Sequence, residues 1–249
     1  GPDELPPTEG PFFQGRVRDA RGLTHLVATI APESQWLLDE HRTLPIGGAA
    51  RGPALVPGTG VVEIITQGMR ELEGERARPM TLRDLYFLRP LQVDDGDTRE
   101  VRLGARRSDA GYQVQLRSRC TVEGRPAWQL HAQAEVALGD VPTPASVDLD
   151  ALRARCTENV RHDESGLRSP QEKHLDFGPR WRVLREERYG EREGMTTIVS
   201  NAEELSTYAV SVEGKLFDVN LTGAREDAFR APMKLYGRLG ALGNDVGHD

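Results

Sequence analysis

Residues 111–138 read GYQVQLRSRCTVEGRPAWQLHAQAEVAL. Tyr112, Val114, Leu116, Cys120 and Val122 alternate with Gln113, Gln115, Arg117, Arg119 and Thr121. After Glu123-Gly124-Arg125, Trp128, Leu130, Ala132, Ala134, Val136 and Leu138 alternate with Gln129, His131, Gln133 and Glu135. A period of two with one apolar face predicts half-buried antiparallel strands, with the Glu-Gly-Arg cluster as their turn. This alternation puts His131 on the polar, exposed face. Asp109-Ala110-Gly111 is a second turn signal, and Val101, Leu103 and Ala105 supply the preceding strand. Upstream, apolar residues at 61, 62, 64, 65, 69 and 72 follow a helical stripe. Thr59 is placed to cap that helix and Glu63 lies near its positive end. One long helix ahead of a meander of long strands packs most economically as a curved antiparallel sheet wrapped around the helix, an α+β arrangement.

Further upstream, Phe12–Val17 and Leu23–Ala31 predict two strands. Residues 36–65, WLLDEHRTLPIGGAARGPALVPGTGVVEII, then set His41 between a short strand-like apolar run and a glycine- and proline-rich loop that empties into the helix. An imidazole at such a place can act as a general base or simply pack. The residues alone leave both readings open. Gly58 and Gly60 are turn residues, and the PGTG turn also feeds backbone amides into a helix N-terminus.

The stretch GDVPTPASV is a polar, proline-containing linker. It separates an N-terminal unit of residues 1–140 from a C-terminal unit of 150–249, with 141–149 between them. In the second unit, Asp150 to Arg155 predicts a short helix, WRVLREERY and MTTIVS predict strands, and Leu216 to Phe229 a second central helix. The second half thus repeats the layout of the first without a residue-level repeat.

Composition narrows the function classes. The net charge of −7 argues against a general nucleic-acid binder. Cys120 and Cys156 are too few for a disulfide framework or cysteine metal cluster, which favours a reducing, cytoplasmic setting. No apolar run nears the ~18 residues that span a bilayer. There is no complete dinucleotide fingerprint, phosphate loop, nucleophile elbow or metal-ligand spacing. The arginines at 102, 106, 107, 117 and 119 predict a solvated sheet face, with docking of an acidic partner as the second reading.

Four segments in order resemble the dehydratase domains of modular polyketide synthases. DEHRTLPIGGAARGPALVPGTGVVEI is similar to their first signature, HxxxGxxxxP running on through PGT into a helix. MTLRDLYFLRPLQV is similar to the strand after that helix, LDFGPRW to a YGPxF signature, and LFDVNLTG to an Asp four residues before Gln or His. The resemblance implies a double hotdog, two antiparallel sheets each wrapped around a central helix. It implies loss of water from a β-hydroxyacyl thioester carried on an acyl carrier protein. His41 would then take the α-proton and Asp218 protonate the departing hydroxyl. Pro57, Gly58, Phe177, Gly178, Pro179 and Thr222 fall at substrate-binding or oxyanion positions. No metal or redox cofactor is implied; the substrate hangs on the carrier's phosphopantetheine. The implied partners are that carrier, neighbouring synthase domains and a twofold-related copy, with neither nucleic acid nor membrane.

The chain departs from the pattern at several positions. Pro45 stands where a glycine is expected, and about seven extra residues near Leu44 to Ala50 precede Gly52. Phe177 replaces a tyrosine; Phe177 is expected to pack against Trp181. Thr222 replaces Gln or His. These changes open two alternatives on the same fold: a double-bond isomerase or oxa-Michael cyclase, and a catalytically silent module kept for architecture or carrier docking.

Overall fold

The computed structural model describes residues 8, 12–45, 47, 50–74, 79–109, 111–139, 148–199 and 205–208. The first strands are β1 (Gly15–Arg18) and β2 (Thr24–Ile30), followed by a helical turn α1 (Trp36–Asp39), then β3 (His41–Thr43) and β4 (Ala54–Leu55). The long helix α2 (Gly58–Glu73) leads into β5 (Met80–Phe87), β6 (Gln92–Val93), β7 (Arg99–Ser108), β8 (Gly111–Val122) and β9 (Arg125–Leu138). After these come α3 (Leu149–Arg155), β10 (Glu158–His162), β11 (Leu175–Phe177), β12 (Leu184–Tyr189), β13 (Gly194–Val199) and β14 (Leu205–Tyr208). The chain divides into two compact units. Described residues of 8–37 and 55–139 form the first; those of 38–54 and 148–208 form the second.

In the first unit six antiparallel strands run in the order β1-β2-β7-β8-β9-β5. The inward residues are Leu26, Ala28, Val101, Leu103, Val114, Leu116, Ala132, Ala134 and Val136, all buried. Helix α2 buries Val61, Val62, Ile64, Ile65 and Met69, and Leu103, Leu26 and Phe13 close over its Gly68. Each fully buried aliphatic side chain contributes roughly 1.5–3 kcal/mol, so this helix-in-sheet contact dominates the unit's stability. The expected meander is present, and the β8–β9 turn is the two-residue Glu123-Gly124, both at positive φ. Edge strand β5 shifts register between Arg83 and Tyr86, next to Asp84 at φ 47°. Such bulges are a common feature of sheet edges.

Two expectations at the helix are corrected. Helix α2 begins at Gly58, with Pro57 as N-cap and no side-chain cap bond, so Thr59 lies inside the helix and does not cap it. Glu63 falls beyond the first turn, which carries no acidic residue. The strand-like run at Trp36–Leu38 is the helical turn α1, with only Leu38 buried. Apolar residues in sequence without alternation fit a single turn as well as a strand.

A third correction concerns His131. The β8–β9 register shifts between Leu116 and Arg117: Leu116 faces Ala132, while Arg117 faces Leu130. The bulge falls on His131 and inverts the alternation on its far side. His131 is therefore buried, at 4% exposure, whereas Trp128 is 37% exposed under the Arg102 guanidinium. Ser118 Oγ lies 2.7 Å from His131 Nε2, and the Arg89 carbonyl 3.2 Å from Nδ1. The His131 carbonyl also accepts the Leu88 amide at 2.8 Å.

In the second unit, β10, β12, β13 and β14 form an antiparallel sheet in the order β10-β12-β13-β14. Strand β3 pairs antiparallel with both β11 and β4. Leu152 of α3, Cys156 and Met195 make a small buried cluster. Asp148 caps α3 by accepting the amides of Asp150 and Ala151. The expected second central helix at residues 216–229 lies outside the described residues, as does the linker from residue 140 to 147.

Candidate active site

Strand β3 carries His41 into the second unit, where it is 6% exposed. Its register partner across the antiparallel pair is Phe177 of β11. After Phe177 the chain makes a 3-10 turn at Pro179–Trp181, with Gly178 as N-cap and Pro179 at the favoured first position. That turn returns Trp181 to the imidazole. Ring centroids lie 5.3 Å apart for His41–Phe177, 5.4 Å for His41–Trp181 and 5.6 Å for Phe177–Trp181. The expected Phe177–Trp181 contact is present, and the histidine is its third member. Tilted ring pairs at these distances are each worth about 0.5–1.5 kcal/mol beyond area burial. The result is an imidazole on a rigid strand with an aromatic wall.

Arg42, the next residue, fixes the loop that follows. Its side chain is almost wholly buried, at 1% residue exposure. Its Nε donates to the Asp39 carbonyl at 2.8 Å, Nη2 to Asp39 Oδ1 at 3.0 Å, and Nη1 to the Gly52 carbonyl at 3.1 Å. Arg51 adds Nη1 to Asp39 Oδ1 at 2.8 Å and Nη2 to the Asp39 carbonyl at 2.7 Å. The Arg42 hydrogen bond is the main cause that holds the Asp39 carboxyl below its ordinary range, against a smaller opposing effect of burial. The two ends of the lengthened loop are thus tied together at its base. Gly52 completes the tie: a Cβ there would sit 2.0 Å from the Thr43 carbonyl oxygen. Leu44, Pro45, Gly47, Ala50 and Arg51 are exposed, so the described part of the extra loop bulges to solvent.

Of the residues singled out from sequence, His41, Phe177, Gly178 and Pro179 come together in the second unit. Pro57 and Gly58 belong to the first unit, at the start of α2, where the Phe87 ring lies beside Gly58. The first amides of a helix lack intrahelical acceptors and carry its positive dipole end. Asp218 and Thr222 lie outside the described residues. His25 pairs with Asp19 at 3.1 Å and His162 with Glu164 at 3.2 Å. Among the described residues no group of three or more His, Cys, Asp or Glu side chains could hold a metal ion, and no helix is long and apolar enough to cross a membrane.

Sequence reading passed over Glu40 and Arg42. Arg42 carries no clear signal, since it sits between His41 and Thr43 in a polar strand. Glu40 carries none, because its partners are 140 residues away.

Residues 10–119 match the family model described as the polyketide synthase dehydratase domain. No curated protein matches the sequence. Among solved structures, the dehydratase domain from the CurF module of curacin polyketide synthase superposes with a TM-score of 0.64 at 21% identity, over 78% of this chain and 67% of that one. A trans-AT polyketide synthase dehydratase domain from Brevibacillus brevis gives a TM-score of 0.65 at 17% identity, over 79% and 66%. An inactive mutant of the CurK dehydratase, with phenylalanine in place of a histidine, gives 0.58 at 19%, over 76% and 63%. The chain spans about two thirds of the length of these domains. The fold is α+β, of the double-hotdog class these dehydratases share.

Proposed function

We propose, from the match of residues 10–119 to the polyketide synthase dehydratase model, that this chain eliminates water from a β-hydroxyacyl thioester carried by an acyl carrier protein, leaving an α,β-unsaturated thioester. The observation that carries this reading is His41, held on β3 against Phe177 and Trp181. The α-proton of a thioester is weakly acidic, and a positioned imidazole is a suitable base for it near neutral pH. His41 takes that proton, and the C–H electron pair becomes the new double bond. The β C–O bond breaks with its electrons, and Asp218 delivers a proton so that water departs. Thr222 is the proposed orienting partner of Asp218. By the family resemblance, the Gly58 amide at the start of α2 is the proposed donor to charge gathering on the thioester oxygen. Phe177 and Trp181 with the Gly178-Pro179 turn wall the acyl chain from water. The inactive histidine-to-phenylalanine CurK mutant supports one indispensable imidazole in such domains.

The reaction is acid–base chemistry that calls for no metal or redox cofactor. The carrier protein and neighbouring synthase domains are the proposed partners, with a second copy of the chain as a homodimer mate, in the cytoplasm. Incubating the protein with a carrier-loaded β-hydroxyacyl thioester tests the reading: mass spectrometry should show loss of one water. A His41→Gln variant should be slower by on the order of 100- to 10,000-fold, the range a general base contributes. Undiminished dehydration by that variant would overturn the assignment.

The absence of a phenol at Phe177 favours a second reading on the same base. An isomerase would move the double bond of an unsaturated thioester with no change in mass, and an oxa-Michael cyclase would close a ring. NMR of the products separates these from dehydration.

A further inference from the structure

We infer that Glu40 is a positioning residue that holds the Phe177–Trp181 turn against His41; the inference deepens the proposal for His41 and rests on it for its catalytic consequence. Glu40 and His41 are neighbours that grip the same turn at interleaved points. His41 touches Phe177 and Trp181 through their rings. Glu40 takes the backbone between them. Its carbonyl accepts the Gly178 amide at 2.9 Å, and its Oε2 accepts the Arg180 amide at 2.7 Å. Its Oε1 lies 3.4 Å from the Arg180 guanidinium. The Glu40 side chain is only 13% exposed and lies where a Cβ on Gly178 would be, 2.3 Å from its Cγ. That glycine lets the carboxylate reach past it to the second amide.

The guanidinium contact is the weaker part of the clamp, because Arg180 is half exposed and solvent screens the pair. The carboxylate-to-amide bond is short and directional. Without it the turn is held to the β3 side by strand pairing up to Phe177 and by the Gly178 amide on the Glu40 carbonyl, and the Arg180 amide beside Trp181 loses its side-chain anchor. A displacement of about 1 Å in a residue that shapes the reacting geometry can cost on the order of 100-fold. What matters is an acceptor oxygen at the end of a three-carbon reach, and not negative charge.

Three variants test this. Glu40→Gln keeps the reach and an acceptor oxygen; Glu40→Asp keeps the charge and loses the reach; Glu40→Ala loses both. The expected order of kcat is wild type and Glu40→Gln together, with Glu40→Asp and Glu40→Ala lower by roughly 10- to 100-fold and KM little changed. The NMR resonances of the His41 ring, shifted by the Phe177 and Trp181 ring currents, should move in the Asp and Ala variants and stay in the Gln variant. If they stay in all variants, or if Glu40→Asp restores them while Glu40→Gln does not, the inference is overturned. Resonances that move as expected in a protein whose wild type dehydrates nothing leave the positioning role standing and remove the proposed reaction. Should Glu40→Ala fail to fold, the Gln-against-Asp comparison decides.

Discussion

Phe177 faces His41 directly across the β3–β11 pair, with the two rings 5.3 Å apart and tilted by 44°. The imidazole therefore meets hydrocarbon where a tyrosine would offer a phenol. Phe177→Tyr should raise the dehydration rate about fivefold, the value of one added hydrogen bond of about 1 kcal/mol. Single-turnover assays on a loaded carrier measure it. A product spectrum unchanged in rate and identity would show that the phenol position does not face the reacting chain. Phe177→Ala should cost roughly 2 kcal/mol in stability, below the full-burial range because the ring is only half buried.

Gly52 is the closing point of the lengthened loop. Gly52→Ala brings a methyl against the Thr43 carbonyl, which belongs to backbone and cannot swing aside. The expected loss is roughly 2–4 kcal/mol by chemical denaturation, with faster hydrogen exchange at the Thr43 amide, which donates to the Pro53 carbonyl at 3.1 Å. A variant as stable as wild type would mean that the loop closes elsewhere.

Arg42 makes the same point through charge. Arg42→Met fills much of the space and leaves the Gly52 carbonyl without the guanidinium, while Arg51 still serves Asp39. A destabilisation of about 1–3 kcal/mol is expected, the cost of a buried acceptor left unmet. The Asp39 carboxyl should also titrate closer to its ordinary range, visible by NMR. No movement of that titration would place the main hold on Asp39 with Arg51 alone.

His131 gives the fold a pH dependence. Burial is the main cause that lowers its pKa from 6.5, with the Arg89 and Pro90 carbonyls opposing and the charges of Arg99 and Arg89 adding to the lowering. The folded pKa is below the unfolded one, so the unfolded chain binds the proton first as pH falls. The stability is fully present above the unfolded value and is lost as pH drops from there towards the folded value. Melting temperature should therefore fall between about pH 7 and pH 5. A His131→Asn variant should lose less over the same range. Equal losses in both proteins would assign the pH dependence to other groups.

Much of this was legible because strand and helix periods are local. The alternation at residues 111–138 gives β8, β9 and their turn, and the stripe at 61–72 gives α2. The helix starts three residues ahead of its apolar stripe, because Gly-Thr-Gly resembles a turn in sequence while Pro57 caps it in the fold. Alternation alone misplaces His131 because a bulge is a property of two strands in register, and one extra residue exchanges the faces of everything beyond it. At the site, the motifs picked out His41 and Phe177, and Phe177–Trp181 packing follows from spacing alone. That His41 joins those rings depends on the β3–β11 register, and the roles of Glu40 and Arg42 depend on hydrogen bonds that close a long turn and an inserted loop. Hydrophobic patterning carries no record of such bonds.

The segment at 38–54 is made with the first half of the chain and belongs to the second unit. Glu40 is synthesised 140 residues before the amide it holds. At the ~5–20 residues per second of translation, on the order of ten seconds pass before that amide exists. The strand bearing His41 is thus an early-made part waiting for a late one, while the helix and meander of the first unit can already fold. Assembly of the aromatic wall is a closing event, set by the longest loop that any described strand pair shuts. A truncation or pause near the middle of the gene would yield a well-folded first unit and a histidine strand without its β11 partner.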